Sequence, residues 1–223
     1  MENQPSAEHL KEIARQLSCP DGEHGVKTGE MMNISNIGMT RSAVEALLLK
    51  PNDVILELGH GNAAHIADIF NKAENLTYFG ADISTTIIAE AEKNNASFIT
   101  NKQASFFLTN GTTLPFEDDY FDKIFTVNTI YFWQNPIQYL EEIKRVLKYN
   151  GMLIIAFADK SFMETLPFTK FGFELYDELK AHKVLKDSGF EIIKSAQKHE
   201  EIQSIAGFKV NRDYYVVSAV ASK

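Results

Sequence analysis

A chain of 223 residues is long enough to bury a proper core, and 44% hydrophobic with 23% charged residues is the balance of an ordinary soluble globular protein. The net charge of −8 argues against a polyanionic partner, because phosphate neutralisation needs clustered Lys and Arg, so no nucleic-acid partner is expected. Cys19 stands alone and excludes an intrachain disulfide, no apolar run approaches the ~20 residues of a membrane span, and Met1 to Leu10 lacks an apolar signal core; a cytoplasmic protein with no membrane partner is expected.

In chain order, residues 6–17 read as an amphipathic helix with Leu10, Ile13, Ala14 and Leu17 on one face and Ser6 as its cap. Ser18 to Gly29 carries Pro20, Gly22, Gly25 and Gly29 and reads as a polar loop, with Cys19 inert beside Pro20. Met31-Met32-Asn33-Ile34-Ser35-Asn36 is unusual for a linker; it either covers a ligand or packs over a sheet edge. Thr40 is expected to cap a helix that runs to Lys50 and is ended by Pro51, with Val44, Leu47 and Leu48 inward. Residues 1–50 are thus expected to form a helical cap, and 51–223 the main domain, as one compact unit.

Asp53 to His65 is the organising stretch. An apolar, β-branched run stops at Gly59-His60-Gly61 and passes into a helical pattern with Ile66, Ile69, Phe70 and Ala73. Strand, tight turn and helix start form a geometry in which backbone N–H groups face an anionic ligand group. Gly59 can take a positive φ, and Gly61 allows close approach to the backbone. Further strands are expected at Leu76–Asp82, Ala104–Leu108, Phe121–Asn128, Met152–Ala158, Glu191–Ala196 and Tyr214–Ala221. Ser84 should cap a helix to Asn94, Asn135 and Pro136 should open another, Asn150-Gly151 should turn the chain, and a helix from Asp177 should stop at Gly189. The alternation predicts an α/β fold with a mainly parallel sheet and helices on both faces.

Four separated stretches resemble the class I S-adenosylmethionine-dependent methyltransferases, of the small-molecule, methyltransferase type 11 kind. Glu57, Gly59 and Gly61 match the family's acid and Gly-x-Gly-x-Gly at the end of strand one, with Ala63 in place of the third glycine. Asp82 matches the acid ending strand two, 21 residues after Gly61. Thr109-Asn110-Gly111-Thr112-Thr113-Leu114-Pro115-Phe116 resembles the family's Gly-Asp-Ala and Leu-Pro-Phe stretch, and is followed by Phe121-Asp122. Glu142 to Lys148 resembles the run before strand five, whose usual Pro-Gly-Gly is here Tyr149-Asn150-Gly151. The resemblance implies a Rossmann-like, doubly wound sheet of seven strands with the last antiparallel, and S-adenosyl-L-methionine as cofactor. It implies a cofactor-binding set of Glu57, Gly59, His60, Gly61, Asp82, Ile83, Asn110, Gly111 and Asn128.

Under that resemblance the methionyl carboxylate suits the helix start after Gly61, Glu57 favours the ammonium, and Asp82 accepts from both ribose hydroxyls. Asn110 stands where the family has Asp, and its carboxamide oxygen can still accept from adenine's NH₂. In-line methyl transfer asks for alignment and exclusion of water, so no catalytic residue is named. Tyr131 and Trp133, after strand four, are the expected acceptor-facing residues; core aromatic packing is the equal alternative. Phe162 to Phe173 holds four phenylalanines without a clean period, and Phe168 and Phe171 are expected to help it close an apolar acceptor pocket, with padding of the sheet edge or a dimer contact as the alternative. His60 and His65 are expected to be solvated and no metal site is expected. The expected partner is a small-molecule methyl acceptor, and the expected state a monomer or homodimer. The rival functions are an NAD(P)-binding Rossmann oxidoreductase, since Gly59 to Ala64 also fits Gly-x-Gly-x-x-Ala, and a non-catalytic ligand-binding protein of the same fold. Asn135-Pro136-Ile137-Gln138 lacks the second proline and the aromatic of amino-methylating nucleobase enzymes.

Overall fold

The computed structural model describes residues 5–203 and 209–221. Two N-terminal helices, α1 (Ala7–Ser18) and α2 (Gly22–Ala46), precede β1 (Val54–Leu58) and the short α3 (Ile66–Phe70). Then follow β2 (Thr77–Asp82), α4 (Thr85–Asn94), α5 (Ala96–Thr100), β3 (Ala104–Leu108) and β4 (Phe121–Val127). The rest is α6 (Pro136–Val146), β5 (Leu147–Ala158), α7 (Lys160–Met163), α8 (Glu178–Asp187), β6 (Phe190–Gln203) and β7 (Lys209–Ala221). The seven strands form one sheet in the order β3-β2-β1-β4-β5-β7-β6, and β7 alone runs against the other six. This is the expected Rossmann-like architecture. The order reverses between β1 and β4, which places the ligand crevice at their carboxyl ends.

Side chains alternate across the central strands and fill two cores. Ile55 joins Met39, Ala43, Ile66, Ile69, Tyr78 and Phe125 on the face covered by α2, α3 and α4. Leu56 and Leu58 join Leu140, Ile143, Leu153, Ala181 and Leu185 under α6 and α8. The family-like stretch at Leu114 is tied to α6: Glu142 accepts from the Leu114 amide at 2.8 Å, while Arg145 donates to the carbonyls of Leu114 and Phe116 at 3.1 and 2.9 Å.

Four expectations are corrected. The expected loop from Ser18 to Gly29 shrinks to the connection at residues 19–21, because Ser18 ends α1 and Gly22 to Gly29 open the 25-residue α2, which also contains Thr40, so Thr40 is no cap. Two of its glycines serve close approach: a Cβ at Gly25 would stand 2.7 Å from the Pro20 carbonyl carbon, and one at Gly29 2.8 Å from Ile87 Cδ1. The helix ends at Ala46 rather than Lys50, and Leu48 follows at φ +50°. Second, α3 is only five residues long, separated from Gly61 by a turn, so no helix N-terminus adjoins the glycines. Third, β5 begins at Leu147, and the expected Asn150-Gly151 turn is an irregularity within it: pairing with β4 jumps from Phe121↔Leu147 to Lys123↔Met152, with Asn150 at φ +59°. Fourth, β6 and β7 are longer than expected, paired from Phe190↔Ala221 out to the polar ends at Glu200↔Arg212 and beyond.

Candidate active site

β1 delivers Glu57 and Gly59 to the crevice, and β2 delivers Asp82. Gly59 sits at φ +70°, its amide donates to the Ala81 carbonyl at 2.8 Å, and a Cβ there would stand 2.3 Å from Thr129 Cγ2. Gly61, at φ +56°, has no atom within 4 Å of a built Cβ, so the backbone there is open to an approaching ligand. The cleft has about 1060 Å³ of empty space, mouth included. Its floor is Glu57 to Asn62, Asp82, Ile83, Thr109, Gly111 and Asn128, and its roof comes from the N-terminal helices: Leu17, Ser18, Pro20, Met32, Asn33 and Asn36.

Glu57 is 2% exposed, and its Oε2 accepts from His65 Nε2 at 2.8 Å and from the Tyr78 hydroxyl at 2.5 Å. His65 is 8% exposed; burial alone would depress its pKa, but the Glu57 carboxylate outweighs that and raises it. His60, 3% exposed, lies over Gly80 and against Phe106 with ring centres 5.0 Å apart, its Nδ1 2.6 Å from the Gly61 carbonyl oxygen. Burial lowers its pKa, and its Nε2 is buried without a partner. The expectation of solvated histidines is therefore corrected: one is held by a buried carboxylate, the other covers a glycine in the sheet. Among the described residues no group of three or more His, Cys, Asp or Glu is arranged to hold a metal ion.

Asp82 Oδ1 accepts from the Ser84 amide at 2.8 Å, and burial raises the Asp82 carboxyl's pKa, opposed by His60 and by the Ser84 and Ile83 amides. Capping of α4 belongs to Ser84, which accepts from the Ile87 amide at 3.1 Å, so Asp82 is left facing the cleft. Asn128, at φ +59°, is a junction: its Nδ2 donates to Asn36 Oδ1 at 3.1 Å, and its Oδ1 accepts from the Ala158 amide at 3.1 Å.

Glu57, Gly59, His60, Gly61, Asp82, Ile83, Gly111, Asn128 and Trp133 all line the cleft. Asn110 does not. It is exposed, and its Oδ1 is engaged by the amides and hydroxyls of Thr112 and Thr113 at 2.8–3.1 Å, an Asx-type turn rather than a free acceptor for adenine. Tyr131 is core: it is 3% exposed, its hydroxyl is shared between Asn128 Oδ1 at 2.9 Å and the Ala158 carbonyl at 3.1 Å, and burial raises its pKa. Phe168 and Phe171 also lie off the cleft wall. Phe168 packs on Phe173, which packs on Phe132, and Phe171 lies under the Lys11 ammonium at 5.7 Å. The aromatic segment thus braces α1 and Phe132 from behind. Sequence reasoning missed Leu17, Phe132, Thr129 and Tyr139 as wall residues; only Met32, Asn33, Asn36 and Thr40, at helical spacing on α2, left a legible signal.

These groups fit a ligand with an ammonium, a sulfonium and a diol. Among the described residues the acids on the wall are Glu57 and Asp82, and no Lys or Arg lines it. Residues 56–155 match the family described as "Methyltransferase domain". The chain is 34% identical over 186 residues to the uncharacterized protein MJ1123 of Methanocaldococcus jannaschii, covering 78% of this chain and 83% of that one. It is 28% identical over 127 residues to the O-methyltransferase resE of Aspergillus sclerotiorum, covering 57% of this chain and 48% of that longer protein. The crystal structure of a SAM-dependent methyltransferase from Aquifex aeolicus superposes with a TM-score of 0.69 at 19% identity, covering 88% of this chain and 97% of that one, which establishes the shared fold. With an acid ending each of the first two strands, an open glycine turn between them and a matching domain around both, the chain belongs to the class I S-adenosylmethionine-dependent methyltransferases.

Proposed function

We propose that the enzyme methylates a small acceptor that carries no anionic group. The observation supporting this is the cleft wall beyond the cofactor groups: Met32, Asn33, Asn36, Phe132, Trp133 and Tyr139, with no Lys or Arg among the described lining residues and with His65 already paired to Glu57. An apolar wall with a few carboxamides suits a flat or aliphatic metabolite, whereas a carboxylated or phosphorylated acceptor would ask for Arg or Lys. The bound cofactor supplies a methyl group already activated for displacement.

The chain's own residues then bind, orient and exclude water. Glu57 receives the cofactor's ammonium through Oε1, the carboxylate oxygen that takes no hydrogen bond from the described residues. Ionised Asp82 accepts from the ribose diol, Gly59 and Gly61 let the amino-acid end approach the backbone, and Ile83 with Gly111 borders the adenine. His60 shields this floor. Asn128 anchors α2 to the ends of β4 and β5, so residues 5–50 act as the cap that closes the site. The protein works in the cytoplasm as a monomer or homodimer.

The test is incubation of purified protein with methyl-labelled cofactor and a metabolite extract fractionated by charge. Label is expected in neutral or cationic small molecules. Label confined to anionic metabolites, protein or RNA would overturn the reading.

A further inference from the structure

Glu57 faces the same side of the sheet as Ile55, two residues earlier on β1, and Ile55 is registered with Tyr78 on β2. The Tyr78 hydroxyl therefore reaches Glu57 from the neighbouring strand, at 2.5 Å. His65, the residue preceding α3, reaches the same oxygen from above, at 2.8 Å. Both donors thus converge on Oε2 from two different elements. Oε1 takes no hydrogen bond from the described residues, yet Glu57 is part of the cleft wall. A glutamate has three side-chain torsions, and a carboxylate this deep is costly unless donors satisfy it. Two fixed donors on one oxygen leave the side chain a single orientation.

We propose that His65 and Tyr78 are positioning residues for the methyl donor: they hold Oε2 of Glu57 inside the fold and so aim Oε1 at the ammonium of the donor's amino-acid end. The inference rests on the reading that Glu57 receives that ammonium. The charged groups around the pair are Asp68 on α3, Asp82 at the end of β2 and His60 in the glycine turn. None of them hydrogen-bonds Glu57, so they act on its field and not on its orientation. Tyr78 stands outside the cleft lining and can act on the donor only through Glu57, whereas His65 also lines the cleft, so Tyr78→Phe is the cleaner of the two variants.

Two probes separate positioning from a general structural role. S-adenosylhomocysteine carries the amino-acid end, and 5′-methylthioadenosine keeps the nucleoside and thioether without it. Calorimetry should show S-adenosylhomocysteine binding weakened about tenfold by Tyr78→Phe and by His65→Ala, from the loss of one hydrogen bond to a charged group. Binding of 5′-methylthioadenosine should stay within about twofold of the parent protein. His65→Gln, whose amide can donate to Oε2, should restore most of the S-adenosylhomocysteine affinity lost in His65→Ala. Glu57→Gln is the control for the underlying reading: if it leaves S-adenosylhomocysteine binding unchanged, that reading falls and takes the inference with it. If Glu57→Gln weakens binding while Tyr78→Phe and His65→Ala do not, only the positioning inference falls. Equal loss of both probes in Tyr78→Phe and His65→Ala would also overturn it, since that marks damage to the whole cleft.

Discussion

Asp82 is the residue whose chemistry most depends on its surroundings. Burial raises its carboxyl pKa above the ordinary 3.8, and the Ser84 amide supplies one bond where the ionised form has room for more. A ribose diol would supply two further donors, so binding and ionisation favour each other. Because the folded pKa is raised, cofactor affinity is expected to be full above it and to decline as pH falls through it; a plot of dissociation constant against pH checks this, and Asp82→Asn should flatten the curve. Asp82→Ala should weaken binding by roughly 10- to 150-fold, from loss of about 1.5–3 kcal/mol of charge-assisted hydrogen bonding, with the fold intact. An unchanged constant would leave Asp82 a turn residue. At this scale, position in the motif order was enough to foresee that Glu57, Asp82, Gly59 and Gly61 meet at one cleft. It was not enough for His60, His65 or Asn110, whose roles depend on what lies across space: a buried carboxylate, a sheet glycine, and two threonines that occupy the Asn110 oxygen.

Helix α2 is where local preference and tertiary packing part company. Gly22, Gly25 and Gly29 spell a loop by composition, yet α2 opens at Gly22, at φ +59°, and runs through Gly25 and Gly29, where Pro20 and Ile87 stand close to any added Cβ. Ala for Gly inside a helix ordinarily gains about 1 kcal/mol. Gly25→Ala should instead destabilise by about 1–3 kcal/mol, since a Cβ 2.7 Å from the Pro20 carbonyl carbon forces the backbone to shift. Urea unfolding decides, and a stabilised variant would show that the glycine is incidental. The aromatic segment around the 3-10 turn at Pro167–Lys170 is the converse case, correctly singled out by composition but placed behind the wall rather than over it. Phe168→Ser with Phe171→Ser is therefore expected to lower thermal stability by several degrees while leaving cofactor affinity within about threefold. Loss of cofactor binding at unchanged stability would put the two rings back at the pocket.

For the whole molecule, strand and helix alternation with short connections was enough to foresee a mainly parallel sheet, because each central strand is apolar on both faces and must be covered twice. The long β6–β7 pair was half hidden, since its outer part is polar. There Arg212, 4% exposed, pairs with Glu200 at 2.6 Å and donates to Asn36 Oδ1 at 3.0 Å, tying the hairpin to α2 and, through Asn36, to Asn128. The roof over the cleft is thus held by contacts between residues about 90 to 180 positions apart, which no local pattern records. What the molecule presents at the turn of its strand order is an anionic floor, an open glycine backbone and, among the described residues, a wall without Lys or Arg, which fits a cationic adenosyl donor better than a pyrophosphate-bearing dinucleotide. Calorimetric titration of the purified chain with S-adenosylmethionine, S-adenosylhomocysteine and NADH, each alone, tests this most directly. The first two are expected to bind at one site per chain and NADH to give no saturable heat; tighter binding of NADH than of either adenosyl ligand would contradict it.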